Sequence, residues 1–144
     1  MPYPIPPRSV YLHIPFCHRR CYYCDFAVVP LGDQAQADHG PGSRSIREYL
    51  SLLHREIASA PSGPPLSTVY IGGGTPSLLC PDQIGSLLDV LADKFGLQPG
   101  AEITLEMDPA SFDRARLEAV LAAGVNRISL GGQSFDDEVL AELG

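Results

Sequence analysis

Cys17, Cys21 and Cys24 stand within eight residues, in the run Cys17-His-Arg-Arg-Cys21-Tyr-Tyr-Cys24, directly after the apolar run Ser9 to Ile14. Three is an unusual number of thiolates. A structural zinc ion wants four protein ligands, and a disulfide framework wants an even count. Three thiolates around a cubane iron–sulfur cluster leave one iron without a protein ligand, open to a small molecule. The cluster is then a reagent as well as a clip or an electron store. The competing reading is zinc with a fourth ligand elsewhere, for which His18, His39 and Cys80 are candidates. Cys80 lies far off in sequence and reads first as a small buried or helix-start residue. Phe16, Tyr22, Tyr23 and Phe26 flank the thiolates. They read either as core packing or as apolar surroundings that limit water access and tune a cluster's potential.

Three further groups fall at the ends of expected strands. Gly72-Gly73-Gly74-Thr75-Pro76 lacks the side chains that would keep a ligand off the backbone. No Gly-Lys-Ser/Thr follows, so a phosphate loop is disfavoured. Glu106 ends an apolar run, where a carboxylate is costly unless it meets a cation or hydroxyls. Gln133 follows another strand and would bond a ligand hydroxyl or cap the helix expected from Ser134.

The elements that must position these groups alternate. Strands are expected over Ser9 to Ile14, Ser67 to Ile71, Glu102 to Met107 and Arg127 to Leu130. Helices are expected from the capping-box spacing Ser45-Ile-Arg-Glu48, after Pro81, from Ser111 and from Ser134. Gly124 stands where a left-handed cap is expected. Four β-then-α units in series demand a parallel sheet with right-handed crossovers, and favour a barrel or part-barrel. In parallel α/β folds the site lies at the carboxyl ends of the strands, where all four groups fall. Asp25 to Arg44 breaks the alternation and is expected to be a loop with a disordered middle. A part-barrel of four units leaves a strand edge open, so the chain reads as a fragment, or as half of something a partner completes.

Composition narrows the class. The 144 residues carry 17 Asp plus Glu against 10 Lys plus Arg, a formal charge of −7, with no basic cluster on one expected face. Nucleic acid as a main partner is disfavoured. No apolar stretch approaches the roughly 18 to 20 residues of a membrane span, and the start, Met1-Pro-Tyr-Pro, lacks a signal-peptide apolar region. A cytoplasmic location is expected, where thiols stay reduced.

Cys-x3-Cys-x2-Cys with an aromatic residue before the last cysteine resembles the signature of the radical S-adenosylmethionine superfamily. Tyr11-Leu-His-Ile-Pro-Phe-Cys17, Tyr22-Tyr-Cys24-Asp-Phe26, Gly72-Gly-Gly-Thr-Pro76, Glu106-Met-Asp-Pro109 and Gly131-Gly-Gln-Ser-Phe135 together resemble the oxygen-independent coproporphyrinogen III oxidase family, which includes a haem-chaperone branch. The resemblance implies a partial (β/α)6 TIM-like radical SAM barrel, of which this chain holds the first four βα units. Residues 1–8 are then a Pro-rich N-terminal segment and 9–144 the first part of the core domain, without the family's C-terminal domain. The resemblance also implies that Cys17, Cys21 and Cys24 bind a [4Fe–4S] cluster, whose fourth iron is chelated by S-adenosylmethionine. Tyr11, Tyr23, Gly73, Gly74, Thr75, Glu106 and Gln133 would contact that ligand. In the family the reduced cluster gives one electron to the sulfonium and the C5′–S bond breaks homolytically. The oxidases resemble Cys-x3-Cys-x2-Cys-x-Cys, and Phe26 stands where their fourth cysteine would be. That favours the haem chaperone, whose partners would be haem or porphyrin, a haem-requiring acceptor protein and an electron donor such as flavodoxin or ferredoxin. Any membrane contact would come through acceptors. The chaperone's haem motif, His-Asn-x-x-Tyr-Trp, does not occur here. The alternatives are the oxidase itself and a purely structural zinc module.

Overall fold

A computed structural model of the chain describes residues 6–32 and 41–144. His39 and the middle of the Asp25–Arg44 segment lie outside them. Four strands form one sheet: β1 (Ser9–Ile14), β4 (Leu66–Gly73), β5 (Leu97–Met107) and β6 (Arg127–Leu130), in the order β1-β4-β5-β6 and parallel throughout. Helices α1 (Pro41–Ser59), α2 (Pro81–Phe95) and α3 (Arg114–Ala122) make the crossovers. The expected α/β alternation with a parallel sheet is what forms.

The strand sequences alternate between two kinds of residue, and each kind takes one face of the sheet. Leu12, Ile14, Val69, Ile71, Ile103, Leu105 and Met107 are buried. They meet Ile46, Leu50, Leu53 and Ile57 of α1 and Ile84, Leu87, Leu88 and Leu91 of α2 in one core. The residues between them, Tyr11, His13, Tyr70, Gly72, Thr104 and Glu106, point to the other face. A closed barrel packs that face with branched aliphatic layers. Here it is aromatic and polar, as suits a surface that receives a ligand.

Element boundaries depart from the sequence reading at polar residues. Helix α1 begins at Pro41, so Ser45 lies inside it rather than at its start. Helix α3 is capped by Asp113, which accepts from the Arg116 amide at 2.8 Å. Ser111 is diverted, because its hydroxyl donates to the Asp108 carbonyl at 2.7 Å. Helix α4 (Asp137–Leu143) is capped by Asp136, while Ser134 Oγ accepts from the Asp136 amide at 3.1 Å. Cys80 is the exposed N-cap of α2, its amide donating to Gln83 Oε1 at 2.9 Å. Gly124 has φ +117 directly after the C-cap Ala123.

The opening of the expected loop is ordered. β2 (Phe16–Cys17) pairs in parallel with β3 (Val29–Pro30), and this small ladder closes the neck of the cysteine loop. Val29 N–H donates to Pro15 O at 2.7 Å and Leu31 N–H to Cys17 O at 2.8 Å.

Candidate functional site

The cysteine loop leaves β1 through Ile14 and Pro15 and is strapped to the turn after β4. Gly74 N–H donates to Ile14 O at 2.8 Å, and Thr75 N–H to Phe16 O at 2.7 Å. These bonds carry the β1–β4 pairing past the ends of both strands. The glycines permit it. A Cβ on Gly74 would stand 2.7 Å from Phe16 O and 2.8 Å from Cys17 Sγ. A Cβ on Gly73, at φ +124, would stand 2.7 Å from Ile14 O. The first task of this triple glycine is therefore to let two backbones touch.

Inside the loop, Cys24 N–H donates to Cys21 O at 3.1 Å in a tight turn. Arg20 braces the loop from within, its guanidinium donating to Cys24 O and Val28 O, each at 3.3 Å. All three cysteines are free thiols, Cys17 buried and Cys21 and Cys24 half-buried. Burial raises the Cys17 pKa first. A hydrogen bond from the Thr75 side chain opposes this, the Cys24 and Cys21 charges add to it, and Arg20 opposes it again. Mutual repulsion of clustered thiolates is relieved by a bound cation.

Three free thiols on one short loop are a donor set that suits an iron–sulfur cluster. Among the described residues, no three His, Cys, Asp or Glu side chains converge to hold one metal ion. A cubane presents a separate iron to each thiolate, so its ligands need not meet at a point. Cys80, a candidate in the zinc reading, is the exposed cap of α2, with its backbone amide making the cap bond. The aromatic residues divide. Phe16 is 4% exposed and packs in the core, whereas Tyr22, Tyr23 and Phe26 are 85%, 48% and 68% exposed. Core packing does not account for these three, which leave an apolar surface around the thiols.

The next strand ends bring a second group together. Tyr11 and Tyr70 are register partners on β1 and β4, their rings stacked at 6.0 Å and 28°. Tyr70 Oη donates to Glu106 Oε1 at 2.7 Å, and Gly73 N–H donates to Glu106 Oε2 at 3.1 Å. Tyr11 Oη and His13 Nδ1 lie 3.0 Å apart, and His13 Nε2 lies 3.2 Å from Ala27 O. A carbonyl only accepts, so Nε2 carries the proton and, in the neutral ring, Nδ1 accepts from Tyr11. His13 thus ties Tyr11 to the far side of the cysteine loop.

Of the ten residues singled out in the sequence, Tyr11, Gly73, Gly74, Thr75, Cys17, Cys21, Cys24, Tyr23 and Glu106 belong to these two linked clusters. Burial, then the charge of Cys21, raises the Tyr23 pKa. Gln133 stands apart, exposed on the backbone after β6. Three residues escaped the sequence reading. Besides Tyr70, Asn126 clamps β5 from the start of β6, its Oδ1 accepting from Ile103 N–H and its Nδ2 donating to Ala101 O, both at 2.8 Å. Arg116 donates to the carbonyls of Ser77 and Leu79, both at 2.7 Å, and holds the short 3-10 turn Pro76–Leu78 behind the glycines.

Residues 11–144 match the family model of the Radical SAM superfamily. The chain is 42% identical to a protein named Heme chaperone HemW from Synechocystis sp., over 96% of this chain and 33% of that protein. It is 40% identical to the Heme chaperone HemW of Escherichia coli, over 97% of this chain and 35% of the other. An oxygen-independent coproporphyrinogen III oxidase of Escherichia coli is 39% identical, over 95% and 29%. The chain superposes on the solved structure of coproporphyrinogen III oxidase (HemN) from Escherichia coli, described as a radical SAM enzyme. The TM-score is 0.80 at 37% identity, covering 98% of this chain and 31% of that one. The chain spans about a third of the length of the relatives it matches.

Proposed function

The chain belongs to the radical SAM superfamily, and from that premise we propose that it forms the cluster- and adenosylmethionine-binding part of a haem chaperone, a protein that receives haem and passes it to haem-requiring acceptors. Membership implies a [4Fe–4S] cluster and S-adenosylmethionine as its ligands. When bound and reduced, the cluster supplies the single electron that cleaves the sulfonium.

The chain's own residues have four tasks in this reading. Cys17, Cys21 and Cys24 hold three irons and leave the fourth to the ligand. The amides of Gly74 and Thr75 bond the carbonyls of Ile14 and Phe16 and so fasten the chain leading into Cys17 to the end of β4, so that the cluster and the ligand's amino-acid end would share one rigid frame. Tyr11 and Glu106 offer an aromatic wall and a charged acceptor to the rest of the ligand, with Gly73 beside Glu106, and Gln133, which stands apart after β6, would add a further polar contact. Tyr22, Tyr23 and Phe26, exposed around the thiols, would limit water access once a cluster is bound.

One observation carries the choice of branch. Phe26 occupies the position where the oxidases resemble a fourth cysteine, so the loop carries no thiol there. The relatives named Heme chaperone HemW point the same way. The oxidase remains the second reading, because the superposition is on an oxidase. Residues 9–144 would then be the first part of a longer core domain. We place the protein in the cytoplasm, with reduced thiols, a flavodoxin- or ferredoxin-type electron donor and acceptors that supply any membrane contact. Among the described residues no helix is long and apolar enough to cross a membrane.

The test is to titrate the whole protein with haem and to assay vinyl formation from coproporphyrinogen. The chaperone binds haem stoichiometrically and makes no vinyl product. Vinyl product at catalytic turnover overturns the reading.

A further inference from the structure

Tyr70 lies on the polar face of β4, and its hydroxyl meets Glu106 first, with the Ser129 side chain beside it. Tyr70 Oη donates to Oε1 at 2.7 Å while Gly73 N–H donates to Oε2 at 3.1 Å. One donor on each oxygen fixes both the position and the plane of the carboxylate. A carboxylate has about four lone-pair directions, so about two stay open. The Tyr70 ring is fixed in turn. It stacks on Tyr11 at 6.0 Å, and it runs under Gly72, where a Cβ would come 2.8 Å from the ring. A larger residue at Gly72 would also meet Glu106 Cδ at 3.1 Å. The tyrosine, the glycine and the carboxylate thus form one fitted unit. The hydrogen bond to Glu106 is the first cause of the raised Tyr70 pKa, and burial is the second.

We infer that Tyr70 is a positioning residue for ligand recognition by Glu106. It holds the carboxylate in place and aimed, so that its open lone pairs accept from hydroxyl or ammonium donors of S-adenosylmethionine. Ordering the glutamate in advance removes a freezing cost that binding would otherwise carry. The inference rests on the reading of Glu106 as a ligand contact. A purely structural tyrosine would support the sheet with its ring, and its hydroxyl would be dispensable.

Four versions of the whole protein separate these cases: wild type, Tyr70→Phe, Glu106→Gln and the double variant, each reconstituted anaerobically with iron and sulfide. Two quantities are read. One is the S-adenosylmethionine dissociation constant by equilibrium dialysis, expressed per cluster-loaded chain so that lower loading does not mimic weaker binding. The other is the change that the ligand makes in the electron paramagnetic resonance signal of the reduced cluster. Tyr70→Phe is expected to weaken binding about tenfold, as for one hydrogen bond to a charged group. Its melting temperature should stay within about 4 °C of wild type. Glu106→Gln should weaken binding at least as much. In the Glu106→Gln background, Tyr70→Phe should add no more than about twofold, because it acts only through the carboxylate. If Glu106→Gln weakens binding and Tyr70→Phe does not, the inference is overturned and the reading of Glu106 stands. If Tyr70→Phe costs the same factor in both backgrounds, Tyr70 acts independently and the inference is again overturned. If Glu106→Gln changes neither the constant nor the signal, the ligand reading of Glu106 fails first.

Discussion

A Cβ on Gly74 would lie 2.8 Å from the sulfur of Cys17, so the glycine backbone at the end of β4 packs directly against the first thiol of the cysteine loop. Two of the atoms in the way, Phe16 O and Pro15 C, belong to main chain that β2 and β3 hold from the other side. That contact couples the metal-ligand loop to the sheet.

Gly74→Ala is therefore expected to displace the loop rather than a side chain. Overpacking of this kind costs about 1–3 kcal/mol. Iron content after anaerobic reconstitution should fall to roughly half of wild type or below, with a lowered melting temperature. Gly85→Ala is the control. Its nearest neighbour would be Ala123 Cβ at 4.0 Å, and it lies inside α2. That substitution should raise stability by up to about 1 kcal/mol and leave iron content unchanged.

Cysteine replacement should separate the ligands from the cap. Cys21→Ala is expected to abolish the brown reconstituted species. Cys80→Ala should leave it intact and cost no more than about 1 kcal/mol, because the Cys80 backbone amide, which bonds Gln83, survives the change. Equal iron loss in the two variants, read by iron and sulfide analysis, would return Cys80 to the ligand set.

Asn126→Ala removes two bonds to the backbone of β5. Ile103 N–H and Ala101 O lie on buried residues and would lose their partners. The expected cost is about 1–3 kcal/mol, seen as a lower denaturant midpoint. Amide exchange should quicken in β6 and the end of β5, while β1 stays protected.

Phe26→Cys tests the branch. A fourth thiol on the loop is expected to leave S-adenosylmethionine binding within about threefold of wild type and to yield no vinyl product from coproporphyrinogen. Turnover in that variant would mean that one residue separates the two activities.

Much of this was legible in the sequence because it rests on local chemistry. Strands rich in Val, Ile and Tyr and a proline opening α2 act within a few residues, and the run Gly72-Gly73-Gly74 stands out by composition although what it touches, Ile14 and Phe16, lies far off in the chain. The helix starts at Ser111 and Ser134 were misplaced because Asp113 and Asp136 offer stronger caps, and because the Ser111 hydroxyl finds the Asp108 carbonyl first. β3 was missed because Val29-Pro30 is only two residues long and ends in proline. Tyr70 and Asn126 were missed because their partners, Glu106 and Ile103, are 36 and 23 residues away in the chain. A signal for Tyr70 did exist. In Thr68-Val-Tyr-Ile-Gly72 and in Glu102-Ile-Thr-Leu-Glu106, polar and aromatic residues alternate with buried aliphatics, which places Tyr70 and Glu106 on one face.

The central claim is that three thiols hold a cluster whose open iron takes S-adenosylmethionine. The most direct measurement is the hyperfine spectrum of the reduced, reconstituted protein with S-adenosylmethionine labelled with nitrogen-15 at its amino group. The account predicts about four irons per chain, and a nitrogen coupling strong enough to require direct coordination to iron. A chain that loads zinc instead, or a cluster whose spectrum shows no coupling to the labelled nitrogen at saturating ligand, would contradict it.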